Sequence, residues 1–177
     1  MKFDQLKEYF ISYKSIEYGE HRFSYKVGNS FFEVYNNTDV KGANLKSEVL
    51  LNKKNTHIEI SFDINGTITL NCDRCLEPFE YTISIEQTIY IKFGTDNESE
   101  DENLYIFPET NNEIDLSEFI NEFIVVALPI RKVHPEDKNG NPTCPNNMLK
   151  YINNIKNDGS EIDPRWNELN KLKDGTS

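Results

Sequence analysis

The sequence lacks any long hydrophobic run. No apolar stretch approaches the roughly 18 residues that a membrane-spanning helix needs. The segment Met1–Glu8 carries charges where a secretory signal peptide has an apolar core. These two absences predict a cytoplasmic protein with no membrane association, in a compartment where thiols stay reduced.

Basic residues are also scarce. The chain has 19 Lys and Arg against 30 Asp and Glu, which gives a net charge of −11. A protein that coats nucleic acid needs many cations to contact phosphates, so this balance argues against direct wrapping of RNA. Much of the negative charge lies in residues 96–102, which we interpret as a solvated acidic loop.

The signatures of common catalytic sites are missing as well. The sequence has no Ser-His-Asp signature, no Gly-rich phosphate loop and no His-Glu-x-x-His helix. The acidic residues 100–102 lack the glycine and the alternating spacing of a calcium-binding loop. We therefore expect a protein that is not an enzyme and has no small-molecule substrate.

What the sequence does contain is period-two alternation of apolar and polar residues, which is typical of half-buried strands. Asn65-Gly66 is the favoured pair for a two-residue hairpin turn, so we expect the chain to reverse there. The alternating run over residues 79–93 exceeds the length of a typical strand, which predicts a bulge or bend within it. The predicted strands are 9–13, 20–27, 45–53, 58–64, 67–72, 79–93 and an edge strand at 104–107.

Helical spacing appears mainly later in the chain. Leu116 to Ala127 has apolar residues on one helical face, with Asp115 as its N-cap. Further short helices are predicted at 148–153 and from Asp163. A capping box that begins at Ser30 predicts one earlier short helix, with a strand over 32–34 as the alternative.

These patterns predict an α+β fold. We expect an antiparallel sheet of about five or six strands, with two or three helices mostly in the C-terminal third. The length fits a single domain over residues 1–177. Its sheet-forming region would span 9–107 and its helical part 115–172.

The chain has three cysteines, and two of them form the motif Cys72-x-x-Cys75. A structural zinc site needs four nitrogen or sulfur ligands, often a Cys-x-x-Cys turn and a distant pair. Cys144 and His134 are the candidates for that pair, because His21 falls in a predicted strand and His57 lies at the start of one. We expect these four residues to converge, which makes them the candidate ligands of a zinc ion.

Two other interpretations of the Cys72/Cys75 turn remain open. The two residues would be ordinary reduced thiols if no metal is bound. A redox pair is disfavoured, because a low thiol pKa usually needs a helix N-terminus after the motif and here Pro78 and a strand follow. A zinc site would make the chain a structural zinc-binding module in some complex, and a redox pair would make it a thiol-redox protein.

Three basic side chains lie near these motifs. Arg74 lies inside the turn, and Arg131 and Lys132 precede His134. They are candidates for contact with an acidic partner or a phosphate. The alternative is that they balance nearby acidic side chains at Asp73, Glu77 and Glu136.

The motifs together resemble the YceD family, which is known for accumulation of large-subunit ribosomal RNA. The resemblance spans roughly Gly19 to Leu172 and rests on four motifs in order, of a subtype similar to Bacteroidetes-type members. These motifs are Cys72-Asp73-Arg74-Cys75-Leu76, Leu128-Pro129-Ile130 followed by His134, then Cys144, and Asp163-Pro164-Arg165-Trp166 with Leu169 and Leu172.

The resemblance implies a non-enzymatic factor in ribosome biogenesis that supports accumulation or processing of large-subunit ribosomal RNA. It brings no catalytic residue, and it places the family's cysteines at Cys72, Cys75 and Cys144. The acidic composition favours action through a ribosomal protein or an assembly factor, with only indirect contact to pre-ribosomal RNA.

Overall fold

The computed structural model describes residues 2–94, 103–140, 143–145 and 150. The chain divides into two compact units, one formed by residues 1–72 and 78–132 and the other by residues 73–77 and 133–177. The predicted acidic loop, the helices at 148–153 and after Asp163, and Trp166 lie outside the described residues. The single domain stays a prediction.

The first unit contains all the strands and helices with assigned bounds. It begins with a 3₁₀ helix over Lys2–Tyr9, and its two α-helices are α1 (Asn29–Val34) and α2 (Leu116–Ala127). Its strands are β1 (Phe10–Ile11), β2 (Gly19–Gly28), β3 (Val40–Lys53), β4 (Ile58–Asn71), β5 (Pro78–Phe93), β6 (Leu104–Phe107) and β7 (Ile114–Asp115).

Five of the strands form one sheet in the order β2-β3-β4-β5-β6. The pairs from β2 to β5 are antiparallel, whereas β5 and β6 are parallel. Strands β1 and β7 pair separately as a short antiparallel ribbon. The predicted α+β class with a mostly antiparallel sheet is confirmed, and β6 lies at the predicted edge.

One face of this sheet is apolar because inward positions alternate along every long strand. From Ile58 to Ile68, the even-numbered residues of β4 pair in register with odd-numbered residues of β3 and β5, so these positions share the face. A register shift between Val40 and Gly42 then places Val40 opposite Leu70. The residues predicted for the β3 part of this face are buried as expected: Leu45, Ser47, Val49 and Leu51.

The predicted hairpin at Asn65-Gly66 is wrong. Strand β4 runs without interruption through both residues, and Gly66 pairs with Leu45 of β3 and Ile83 of β5. A Cβ at Gly66 would lie 2.9 Å from the Cα of Leu45 and would overlap the carbonyl oxygen of Asn44. Glycine is therefore needed here because the neighbouring backbone approaches closely, and because φ is +146°.

The predicted bulge in the long strand is also absent from its pairing with β4. The register runs continuously from Ile58 opposite Ile91 to Asn71 opposite Pro78. The strand stays regular because β4 is almost as long and pairs with it along nearly its whole length.

Helix α2 supplies much of the layer that covers the apolar face. The Asp115 carboxylate accepts a hydrogen bond of 2.8 Å from the Ser117 backbone N–H, so the predicted N-cap is confirmed. The ring of Phe119 lies 6.2 Å from that of Phe62 on β4 and 4.9 Å from that of Tyr105 on β6. Leu116, Ile120 and Ile124 are fully buried, as their helical spacing predicts.

The N-terminal region differs from the prediction in two details. The expected strand over 9–13 is reduced to β1, because Tyr9 ends the 3₁₀ helix and stacks on Tyr25 of β2. The short helix α1 is present, but Gly28 occupies its N-cap without a side-chain bond, so the capping box at Ser30 is wrong. Since α1 lies in the first third of the chain, the expected concentration of helices in the C-terminal third is not confirmed.

Among the described residues, no helix combines the length and the apolar character needed to cross a membrane.

Candidate metal centre

The Cys72/Cys75 turn begins where the apolar face of β4 ends. Cys72 continues the even-numbered buried positions of that strand and is fully buried. Residues 73–75 form a turn, and the Cys75 side chain is again buried. Both thiols are therefore held at adjacent, water-poor positions by the chain geometry of the turn.

Leu76, directly after the turn, has a left-handed backbone with φ of +64°. This conformation costs an L-residue roughly 1–2 kcal/mol, and glycine adopts it most readily. The Leu76 side chain is 69 % exposed, so apolar burial does not offset the cost. The strained residue fixes the direction in which the chain leaves Cys75.

The segment that starts at Val133 supplies the other candidate ligands. Its local hydrogen bonds fold it back on itself: the Thr143 hydroxyl donates to the Pro135 carbonyl at 2.6 Å, and the Gly140 N–H donates to the Asp137 carbonyl at 3.0 Å. This folding brings Cys144 near His134, although the two are ten residues apart in sequence. Cys144 is buried and His134 is half-buried.

The four candidate side chains converge as the sequence predicts. The Nδ1 atom of His134 lies 3.4 Å from the Cys75 sulfur and 3.7 Å from the Cys144 sulfur. The one ligand atom that each of Cys72, Cys75, His134 and Cys144 offers lies within 4.8 Å of all the others. The cysteines are thiols rather than a disulfide pair.

The donor set fits a tetrahedral zinc ion. With Zn–S bonds of about 2.3 Å and a Zn–N bond of about 2.0 Å, neighbouring ligand atoms of a tetrahedron are separated by roughly 3.5–3.8 Å. The distances of 3.4 and 3.7 Å from His134 Nδ1 to the two sulfurs lie close to the roughly 3.5 Å expected between a nitrogen and a sulfur ligand. Zinc would bind through Nδ1, which leaves the Nε2 atom of His134 to carry the proton.

The chemistry of such a site is structural. Four protein ligands would fill a tetrahedral shell and leave no open position for water or substrate. Three thiolates and one imidazole are also the soft and borderline donors that select zinc over calcium or magnesium. The arrangement can therefore hold a zinc ion in place and, through it, hold the two chain segments that supply the ligands.

The geometry gives no support to a redox pair. After Cys75 the chain continues into strand β5, as predicted, and no helix N-terminus follows the motif. A zinc site and a set of reduced thiols differ only in whether a metal is bound. The same arrangement of the four side chains is compatible with both.

The three predicted basic residues have different surroundings. Lys132 forms a 2.7 Å ion pair with Asp39, a partner that sequence spacing does not reveal because 93 positions separate them. Arg131 is exposed, and Arg74 is half-buried within the turn. A role for these residues in binding a partner stays a prediction.

Comparison with known proteins agrees with the motifs. The family model described as Large ribosomal RNA subunit accumulation protein YceD matches residues 60–173, more than half of the chain and including all four candidate ligands. Among curated proteins and among solved structures, nothing matches the chain significantly. The chain belongs to the YceD family.

Proposed function

We propose that this protein is a non-enzymatic ribosome biogenesis factor that supports the accumulation or processing of large-subunit ribosomal RNA. The observation that carries this proposal is the family match over residues 60–173, whose description names large-subunit ribosomal RNA accumulation.

The metal centre has a structural role in this proposal. Zinc bound by Cys72, Cys75, His134 and Cys144 fixes the loop after Val133 in one conformation. The buried thiols support this role, because a buried site without an open ligand position suits a structural metal better than a catalytic one.

The protein acts through another protein of the assembling subunit rather than by wrapping RNA. The net charge of −11 supports this proposal, because RNA phosphates would be repelled by most of the surface. Ribosomal proteins and assembly factors are the partner classes that fit.

Deletion of the protein in its native host tests the proposal. We expect the ratio of large-subunit to small-subunit ribosomal RNA to fall, and the wild-type protein to restore it. The Cys144→Ser variant should restore it poorly because one ligand is lost, whereas His57→Ala, a histidine outside the metal centre, should restore it fully.

An unchanged RNA ratio after deletion would contradict the proposal. It would favour the alternative, a structural zinc-binding module in a different complex.

A further inference from the structure

The face of the sheet opposite the apolar core forms a groove. Four strands, β2 to β5, line a concavity of about 770 Å³. The outward side chains in it come from alternate positions that pair in register across the sheet. These lining residues are Arg22, Ser24, Glu48, Leu50, Ser61, Asp63, Glu86 and Thr88.

Three carboxylates lie side by side across this groove. Glu48 of β3 pairs in register with Asp63 of β4, and Asp63 pairs with Glu86 of β5. Adjacent strands are about 4.8 Å apart, so the three acidic side chains occupy neighbouring positions on one face. Like charges directly opposite one another destabilise a sheet, and a bound cation would relieve that repulsion.

The protein itself compensates only one end of this row. Lys46 forms an ion pair with Glu48 and, with a weaker contribution from Arg22, holds the pKa of the Glu48 carboxyl below its usual value. Asp63 accepts a hydrogen bond from the Asn65 amide. Within the described part of the chain, neither Asp63 nor Glu86 forms an ion pair.

The rest of the lining suits a polypeptide. Leu50 is a half-buried apolar side chain on this otherwise polar face, and beside it the Ser61 and Thr88 hydroxyls share a 3.0 Å hydrogen bond. An apolar contact next to hydroxyls and carboxylates can accept both the stem and the charged end of a lysine or arginine.

The same charges exclude the other occupants. Phosphates of a nucleic acid would meet the carboxylate row, and a second copy of the chain would bring the same negative charge. Residues 95–102 contain five acidic and no basic residues, and residues 151–177 contain five acidic and four basic ones, so neither segment has the net positive charge that would neutralise the carboxylate row.

We propose that this groove binds an extended, lysine- or arginine-rich segment of a partner polypeptide. The proposal rests on the proposed function and specifies the chemistry of the partner. In an extended chain every second side chain points the same way, about 6.7 Å apart, so alternate basic residues can face the groove together. Cations from the partner would then neutralise Asp63 and Glu86.

Titration of the full-length protein with a peptide tests the groove. The probe is an extended peptide of about ten residues that alternates Lys and Ser, which is long enough to cross four strands. We expect saturable one-to-one binding at low salt that weakens as salt is added, because the charges are exposed. The double variant Asp63→Asn/Glu86→Gln should weaken binding about tenfold.

A matched variant separates the groove from general charge attraction. Glu20→Gln/Glu80→Gln removes the same charge from exposed positions on the same face, outside the groove. We expect it to change the dissociation constant by less than about twofold. An absence of saturable peptide binding, or equal weakening in both double variants, would overturn the proposal. It would also be overturned if the wild-type protein bound RNA or a second copy of itself and Asp63→Asn/Glu86→Gln abolished that binding.

Complementation of the deletion strain keeps this proposal distinct from the proposed function. If deletion lowers the large-subunit RNA ratio, Asp63→Asn/Glu86→Gln should restore it poorly and Glu20→Gln/Glu80→Gln fully. Full restoration by the groove variant would overturn the groove and leave the proposed function intact. An unchanged ratio after deletion would overturn the proposed function, and the peptide titration would still decide whether the groove binds basic segments.

Discussion

The two units of this chain differ in what they bury. The buried hydrophobic cluster lies entirely in the unit of residues 1–72 and 78–132, the sheet unit. In the described part of the other unit, residues 73–77, 133–140, 143–145 and 150, the only buried side chains are those of Cys75 and Cys144. We call this described part the ligand unit.

The difference shows that apolar burial stabilises the sheet unit far more than the ligand unit. Burial of apolar surface contributes about 25 cal/mol per Å², and a five-stranded sheet covered by helices buries enough of it to be stable. The ligand unit has no comparable apolar burial, and segments of this kind usually depend on a metal. We therefore propose, as the central claim, that zinc stabilises the ligand unit and that the sheet unit does not need it.

The largest expected effect comes from removing a metal ligand. His134→Ala should weaken zinc binding by more than about 100-fold, because it removes one of four donors from the shell. Metal competition with a chromophoric chelator measures the affinity. His57→Ala, at a histidine that is not part of the cluster, serves as the control and should leave the affinity unchanged. Equal affinities in the wild type and His134→Ala would remove His134 from the site.

The next effect should be confined to the sheet unit. Gly66→Ala should lower the free energy of unfolding of that unit by about 3 kcal/mol or more, because the new Cβ meets the backbone of β3. Denaturant unfolding followed by circular dichroism measures it. Gly94→Ala is the matched control, since a Cβ there meets nothing within 4 Å, and should change stability by less than about 0.5 kcal/mol. Similar losses in both variants would contradict the close approach at Gly66.

A smaller effect should appear at high pH, again in the sheet unit. Burial, and then the charge of Glu8, raises the pKa of Tyr9 and of Tyr25 from 10.0 to about 12. Because the folded pKa values exceed the unfolded ones, the stabilisation is complete below about pH 10 and is lost as the pH rises towards 12.

Tyr25→Phe should reduce this alkaline loss of stability by about 1–2 kcal/mol, because it removes one of the buried tyrosine ionisations. Urea unfolding at about pH 8 and about pH 12 measures the difference. Tyr18→Phe, at a residue that is 68 % exposed, should leave the loss unchanged. An alkaline loss in Tyr25→Phe as large as in the wild type would contradict the assignment.

Most of the sheet could be predicted from alternation alone. The wrong hairpin at Asn65-Gly66 also conflicts with that alternation. A two-residue turn at Asn65-Gly66 would pair residue 64 with 67 and place polar Thr67 and Thr69 on the apolar face. The apolar residues instead stay at even positions on both sides of Gly66, as one continuous strand requires. The turn preference of Asn-Gly conflicts with this unbroken parity, and the burial of the apolar face decides the structure.

The metal cluster could also be located from the sequence, because few residues in the chain can bind zinc. Three cysteines need one further ligand, and His134 is the one histidine in the segment between the last helix of the sheet unit and Cys144. The parallel pairing of β6, the ion pair from Lys132 to Asp39 and the left-handed Leu76 could not be predicted. The first two features depend on how distant segments meet, and a leucine gives no signal of a left-handed backbone because glycine is the residue that favours it.

Hydrogen exchange of the purified protein, with bound zinc and after chelation, tests the central claim most directly. We expect chelation to raise amide exchange in residues 133–144 and in the Cys72/Cys75 turn, while the amides of β3, β4 and β5 keep their protection. Unchanged exchange in residues 133–144 after complete removal of the metal, or loss of protection across the whole sheet, would contradict it.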